Sequence, residues 1–147
     1  LEYIVKTSCA IKARIVEKDE RESKYRMILN FGHTFGHAIE TLTNYTEYLH
    51  GEAISIGMIQ AALLSVKSVL CNKDLPKRIT NLLKAFGLPI QAHDFKSKDI
   101  IESMRHDKKN SHNKLRFVLP KSIGSIEIID DVPETLIQSV LDNSKLI

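Results

Sequence analysis

The stretch from residue 50 to about residue 70 constrains the fold more than any other part of this 147-residue chain. Its apolar side chains recur at helical spacing and occupy most of the helix circumference, so a helix here must be covered by other elements along much of its length. These side chains are Ala53, Ile54, Ile56, Met58, Ile59, Ala62, Leu63, Val66 and Val69. We therefore predict that the longest helix of the chain is also its most buried one.

The remaining segments predict further helices and one β-hairpin. Apolar periodicity, N-cap residues and Gly or Pro stop signals place helices at residues 1–16, 30–42, 77–86, 98–106 and 134–141. Asn30 is the expected N-cap of the second of these helices. Two β-rich runs at residues 114–120 and 125–129 flank Gly124, which predicts a hairpin. The fold class expected from these elements is mostly α with a small β-hairpin.

Composition and charge exclude several classes of protein. The 147 residues suit a single domain, and 43% apolar with 27% charged residues are typical of a soluble globular domain. A formal charge of +3 without a basic, aromatic-rich run predicts no nucleic-acid partner, and no apolar run approaches membrane-span length. Cys9 and Cys71 are isolated, as expected for free thiols in the cytoplasm. Because residue 1 is Leu rather than Met, we expect a piece of a longer protein.

Three of the six histidines fall between residues 33 and 50. His33 and His37 are four residues apart and share one helix face, and His50 at the start of the next helix could fold back toward them. A catalytic zinc ion usually has three protein ligands and one open position. Gly32 and Gly36 cost a helix about 1 kcal/mol each, which indicates a close approach of backbone or ligand. The alternative is that these histidines have a structural role.

Basic residues at several places along the chain indicate a small anionic substrate. Lys12, Arg26 and the adjacent Lys108 and Lys109 could bind carboxylate or phosphate groups. Each has an ordinary alternative, because the lysines could be solvated surface residues and Arg26 could pair with Glu22 at helix spacing.

Several motifs closely resemble the C-terminal domain of the 3-dehydroquinate synthase family. The resemblance covers nearly the whole chain, and its glycine and histidine motif is highly specific. The matching segments are residues 26–40 (with Asn30-Phe31-Gly32-His33 and Gly36-His37-Ala38-Ile39-Glu40), His50-Gly51-Glu52-Ala53, Gly57-Met58, Lys12 with Ile15-Val16 and Asp19, Asp107-Lys108-Lys109, and Arg116-Phe117-Val118-Leu119-Pro120 with Ile123-Gly124.

The resemblance implies a reaction, its cofactors and a fold. Enzymes of this family convert 3-deoxy-D-arabino-heptulosonate 7-phosphate, a sugar acid phosphate, to 3-dehydroquinate and phosphate in the shikimate pathway. They use NAD and a divalent metal, usually Zn²⁺, with Co²⁺ as an alternative. Residues 1–147 would form the C-terminal helical domain, and an N-terminal NAD-binding domain outside this chain would supply a glutamate ligand and most NAD contacts. A homodimer in the cytoplasm is the expected assembly.

The resemblance also implies roles for individual residues. His33 and His50 correspond to metal ligands, whereas His37 corresponds to a histidine that moves protons beside the substrate phosphate. This differs from the spacing argument, which places His33 and His37 together on the metal. The matching substrate-binding positions are Lys12, Arg26, Asn30 and one of Lys108 and Lys109.

Three alternatives remain open at this point. The chain could belong to another sugar phosphate cyclase of the same fold, or to an iron- or zinc-dependent alcohol dehydrogenase of the related two-domain type. It could also be a helical interaction module with structural histidines. By itself, the chain is expected to bind metal weakly, because the resemblance places the third metal ligand in the N-terminal domain. It is also expected to bind NAD poorly and not to turn over, because no glycine-rich dinucleotide motif is present.

Overall fold

The computed structural model describes residues 1–21, 25–92, 95–108 and 115–143, with the side chains of residues 107 and 108 left aside. The chain divides into two compact units, Leu1–Asn30 and Phe31–Ile147. The expectation that residues 1–147 form one domain stays a prediction.

The first unit consists of helix α1 and a short 3-10 helix. Helix α1 spans Glu2–Lys18, and the 3-10 helix spans Tyr25–Asn30. Ile15 is the one buried residue of α1. The carboxylate of the buried Asp19 accepts a hydrogen bond from the backbone N–H of Arg26 at 3.0 Å. This bond joins the two helices of the unit across the connection between them.

The second unit is built from helices around α3, with a β-hairpin packed on one side. Its elements are α2 (His33–Leu42), α3 (His50–Lys67), α4 (Asp74–Ala85), α5 (Ser97–Lys108), β1 (Arg116–Ser122), β2 (Ser125–Asp130) and α6 (Glu134–Asn143). The prediction of a mostly helical fold with a small hairpin is confirmed. Helix α3 begins at His50 as expected, and ten of its eighteen residues are buried. It packs against α2, α4, α6 and β1, which explains its nearly uniform apolar surface.

The start of α2 differs from the prediction. Asn30 was expected to cap a helix from residue 30, but it ends the 3-10 helix, and α2 begins at His33 with Gly32 as its N-cap. Gly32 adopts a left-handed φ of 86°, which side chains with a Cβ rarely adopt. The turn at Gly32 interrupts the predicted helix, so the Asn30 cap was wrong.

Helices α2 and α3 approach each other closely through glycine residues. A Cβ atom at Gly57 would overlap the carbonyl oxygen of Gly32, and one at Gly32 would lie 2.7 Å from the backbone nitrogen of Met58. A Cβ atom at Gly36 would lie 3.1 Å from the carbonyl oxygen of Ala53. The close approach predicted from Gly32 and Gly36 is therefore present, and it is between backbones.

The hairpin is antiparallel and covers one side of the helical core. Phe117 pairs with Ile129 across the two strands, and the ring of Phe117 packs on Phe35 of α2 with 5.4 Å between centroids. The hydroxyl of Thr34 donates a hydrogen bond to the carbonyl oxygen of Arg116 at 2.7 Å. These contacts fix the first turn of α2 against β1.

Helix α4 begins three residues earlier than predicted. The side-chain oxygen of Asn72 accepts hydrogen bonds from the backbone N–H groups of Asp74 and Leu75, at 3.1 and 3.3 Å. Pro76 fits within the first turn because the N–H groups there have no partner inside the helix.

A separate finding concerns all the helices together. In the described part of the chain, no helix has both the length and the apolar character needed to cross a membrane.

Candidate metal centre and active site

Helices α2 and α3 bring together the three histidines predicted to form the site. His33 is the first residue of α2, His37 lies one turn later, and His50 is the first residue of α3. The ring centroids of His33 and His37 are 5.3 Å apart, those of His33 and His50 are 5.4 Å apart, and those of His37 and His50 are 5.7 Å apart. The convergence expected from the sequence is present. We call these three residues the histidine cluster.

A buried glutamate joins two members of the histidine cluster. Oε2 of Glu40 lies 2.7 Å from Nδ1 of His37, and Oε1 of Glu40 lies 3.0 Å from Nδ1 of His50. The Glu40 side chain is 5% exposed, whereas those of His37 and His50 are 42% and 59% exposed. The carboxylate therefore lies behind the two imidazoles, and the rings lie between it and solvent.

The surroundings of Glu40 keep it ionised. Burial by itself raises the pKa of Glu40, but the hydrogen bonds from His37 and His50 favour the carboxylate and leave its pKa below the usual value. A buried carboxylate of this kind requires neighbouring groups that donate hydrogen bonds to its oxygen atoms. The two imidazoles provide them.

The surroundings of His33 favour its neutral form. Burial lowers the pKa of His33, and the neighbouring His37 and His50 lower it further. A hydrogen bond with the backbone of Phe31 and the negative charge of Glu40 raise it, but the net shift is downward. A neutral imidazole has a lone pair on one ring nitrogen and is suited to bind a metal ion.

Two histidines of the cluster and Glu40 together offer donor atoms that fit a divalent metal. One ligand atom each from His37, Glu40 and His50 lie within 4.8 Å of one another. Imidazole and carboxylate are common zinc ligands. This set includes Glu40 and omits His33, whereas the family resemblance implies His33 and His50 as the ligands. Because both Glu40 oxygens already accept hydrogen bonds from ring nitrogens, we interpret Glu40 as the support of the two imidazoles rather than as a ligand.

Sequence reasoning did not assign a role to Glu40. Its spacing offers a signal, since Glu40 follows His37 by three residues and so lies on the same face of the helix. The burial of its carboxylate depends on the packing of α2 against α3 and α5, which the periodicity of one helix does not reveal. The contact with His50, ten residues away, depends on the turn between α2 and α3.

The predicted anion-binding residues are only partly described. Lys12 is exposed on α1, and Arg26 and Asn30 lie in the 3-10 helix of the first unit. The guanidinium of Arg26 donates a hydrogen bond to the carbonyl oxygen of Glu20 at 3.2 Å. Lys109, Glu22 and the side chain of Lys108 lie outside the described residues. The substrate-binding roles of these residues stay predictions.

A groove of about 470 Å³ between α3, α4 and α6 lies apart from the histidine cluster. None of the three histidines lines it, and neither does Glu40. Its apolar and basic lining includes Leu63, Val66, Lys67, Lys73, Pro76, Lys77, Lys84 and Val140.

Comparison with known proteins decides the family. Residues 1–110 match the family of 3-dehydroquinate synthase C-terminal domains. The chain belongs to this family. The 3-dehydroquinate synthase of Desulforamulus reducens is 49% identical over 142 residues, which cover 96% of this chain and 40% of that protein. The 3-dehydroquinate synthase of Dictyoglomus turgidum is 46% identical over 139 residues, which cover 95% of this chain and 39% of that protein.

A solved structure of a related cyclase shares the fold of this family member. The structure of 2-deoxy-scyllo-inosose synthase, complexed with carbaglucose-6-phosphate, NAD⁺ and Co²⁺, superposes with a TM-score of 0.82 at 28% sequence identity. The match covers 95% of this chain and 40% of that one. The chain thus spans about 40% of the length of the relatives it matches.

Proposed function

We propose that this chain is the metal- and substrate-binding part of a 3-dehydroquinate synthase. The enzyme would convert 3-deoxy-D-arabino-heptulosonate 7-phosphate to 3-dehydroquinate and phosphate. The observation that carries the proposal is the histidine cluster, in which Glu40 holds His37 and His50, in a chain that is 49% identical to a 3-dehydroquinate synthase over 142 residues.

The metal of the proposed enzyme is Zn²⁺ or Co²⁺, and His33 and His50 would hold it. Support comes from the lowered pKa of His33, which favours a neutral imidazole, and from the hydrogen bond that orients the ring of His50. A bound divalent ion orients the hydroxyl groups of a substrate and stabilises negative charge on oxygen. A third ligand, a glutamate, is expected from the N-terminal domain of the same enzyme.

His37 is proposed to move a proton beside the substrate. Its Nδ1 atom is engaged by Glu40, so its other ring nitrogen, Nε2, is the one left for exchange with substrate. The side chain is 42% exposed, which gives a small molecule access to the ring. An imidazole that is oriented by a carboxylate and open on its other side is suited to general acid–base catalysis.

NAD is also part of the proposal, but the described part of this chain contains no sheet of the kind that binds a dinucleotide. The two described strands pair antiparallel with each other, whereas a dinucleotide site of the Rossmann type requires parallel strands and a glycine-rich turn into a helix. We therefore assign NAD binding to the N-terminal domain. A homodimer in the cytoplasm completes the proposed assembly.

Substrate anions are proposed to contact Lys12, Arg26, Asn30 and one of Lys108 and Lys109. Fixed positive charge around a departing phosphate stabilises it without large movements of the protein. Replacing Arg26 with Gln in the complete enzyme is expected to raise KM for the sugar acid phosphate. Arg78→Gln is the matched control, because it also removes one guanidinium, at an exposed position on α4, and it should leave KM unchanged.

The decisive experiment measures turnover by the complete enzyme. Incubation of the metal-loaded protein and NAD with 3-deoxy-D-arabino-heptulosonate 7-phosphate should release phosphate and form 3-dehydroquinate, with no net NADH. A second arm uses the isolated 147-residue chain, which should bind metal weakly, bind NAD poorly and release no phosphate. Robust phosphate release by the isolated chain would overturn the division of roles between two domains.

Related activities give different products in the same assay. Because the fold is shared with 2-deoxy-scyllo-inosose synthase at a TM-score of 0.82, glucose 6-phosphate is the second substrate to test. Turnover of glucose 6-phosphate alone would place the chain in another sugar phosphate cyclase. Net accumulation of NADH with a simple alcohol would indicate a dehydrogenase.

A further inference from the structure

One carboxylate holds two imidazoles in place at this site. The oxygens of Glu40 are 2.7 Å from Nδ1 of His37 and 3.0 Å from Nδ1 of His50. An ionised carboxylate accepts hydrogen bonds and donates none, so each Nδ1 atom must carry a proton. In the neutral form, both rings then have their lone pair on Nε2.

The two roles proposed for these rings require this tautomer. A histidine that binds a metal through Nε2 needs the Nε2 lone pair, and so does a histidine that accepts a proton there. Rings that are 42% and 59% exposed have few packing contacts to hold their orientation. Glu40, with its side chain 5% exposed, is by contrast fixed within α2.

We propose that Glu40 is a positioning residue that holds His37 and His50 in the Nδ1–H tautomer at the same time. One buried carboxylate thereby prepares the metal-binding ring and the proton-transfer ring together. The assignment of those two roles rests on the proposed function, whereas the tautomers follow from the hydrogen bonds.

The substitution Glu40→Gln tests this proposal because it keeps the shape and removes one acceptor. The amide of Gln has one oxygen that accepts and one NH₂ group that donates. One ring can still donate from Nδ1, but the other must accept there and carry its proton on Nε2. That second ring is then unable to bind metal or accept a proton through Nε2.

The primary measurement is the ¹⁵N NMR spectrum of the histidine side chains in the complete, metal-free protein above about pH 8, where imidazole is neutral. The unmodified protein should show His37 and His50 as Nδ1–H tautomers, and E40Q should show one of the two switched to Nε2–H. Glu40→Asp keeps an acceptor-only side chain and should retain both Nδ1–H tautomers. Glu102→Gln, on the exposed side of α5, is the matched control and should change nothing.

The consequence of the switch depends on which ring changes. If His50 switches, zinc affinity measured by chelator competition should fall about 10- to 100-fold. If His37 switches, zinc affinity should be retained and kcat should fall with little change in KM. A Nε2–H tautomer at either ring in the unmodified protein overturns the proposal, and so does an unchanged pair of tautomers in E40Q.

The test of Glu40 can fail or succeed independently of the test of the proposed function. Tautomers and zinc affinity are measured without turnover, so an unmodified enzyme that forms no 3-dehydroquinate refutes the function and leaves the role of Glu40 standing. Conversely, normal turnover in the unmodified enzyme with unchanged tautomers in E40Q refutes the role of Glu40 alone.

Discussion

Gly57 of α3 lies directly against Gly32, close enough that a Cβ atom on Gly57 would overlap the Gly32 carbonyl oxygen. The contact is between backbones, so it has no flexible side chain that could move aside. It sets the distance between α2 and α3, and these are the helices that supply the histidine cluster.

We expect Gly57→Ala to lower the free energy of unfolding by about 1–3 kcal/mol, because an overpacked contact forces the helices apart. Urea unfolding followed by circular dichroism provides the measurement. Gly51→Ala is the matched control, since a Cβ atom at Gly51 has no neighbour within 4 Å. The control should be neutral or stabilising by up to about 1 kcal/mol, because Ala favours helix more than Gly does. Equal destabilisation by the two substitutions would contradict the close approach.

Removal of a proposed metal ligand should reduce metal binding without unfolding the protein. We expect His33→Ala and His50→Ala each to lower zinc affinity by more than about 100-fold, since loss of a ligand costs more than loss of its support. Zinc content and chelator competition in the complete protein provide the measurement. His106→Ala is the control, because His106 is exposed on α5. Unchanged metal content in the first two variants would favour purely structural histidines.

Replacing His37 should separate chemistry from metal binding. His37→Gln is expected to keep its zinc and to lose about 10²- to 10⁴-fold in kcat, the range for a missing general acid or base. Steady-state phosphate release and zinc content, measured on the same preparation, provide the test. A variant that loses its zinc together with its activity would instead make His37 a ligand, as the helix spacing predicts.

The stability of the metal-free protein should fall on mild acidification. The folded-state pKa of His33 lies below its usual value of 6.5, so the unfolded chain binds more protons once the pH falls below that value. The contribution of His33 is thus complete above about pH 6.5 and is lost as the pH falls toward the folded-state pKa. Glu40, whose pKa is lowered from 4.5, adds a second loss at more acidic pH.

Denaturant midpoints measured at intervals between about pH 7.5 and about pH 5 test this dependence. His33→Gln should flatten the upper part of the curve, because Gln does not titrate. A midpoint that rises on acidification in the unmodified protein would contradict the direction of the His33 pKa shift.

Regular elements with a strong pattern could be predicted from the sequence. Helix α3 and the hairpin appear where the periodicity places them, because the spacing of their apolar residues fits one type of secondary structure. The start of α2 was missed because the left-handed turn at Gly32 depends on a contact with α3 that is distant in sequence. Asn30 is a favourable cap locally, but tertiary packing moves the helix start to His33.

Only part of the candidate site could be predicted in the same way. The grouping of His33, His37 and His50 follows from helical spacing and from the short connection between α2 and α3. The role of Glu40 could not be predicted, because composition and periodicity do not show whether a carboxylate is buried. Which ring nitrogen faces Glu40 is likewise a property of the folded structure.

The histidine cluster straddles the turn between two helices, with His33 and His37 before residues 43–49 and His50 after them. An ion held by His33 and His50 would cross-link the two helices across this turn. Its binding free energy would then add to the folding free energy of the α2–α3 pair. Loss of the ion would then destabilise first the turn between α2 and α3, which is where the proposed active site lies.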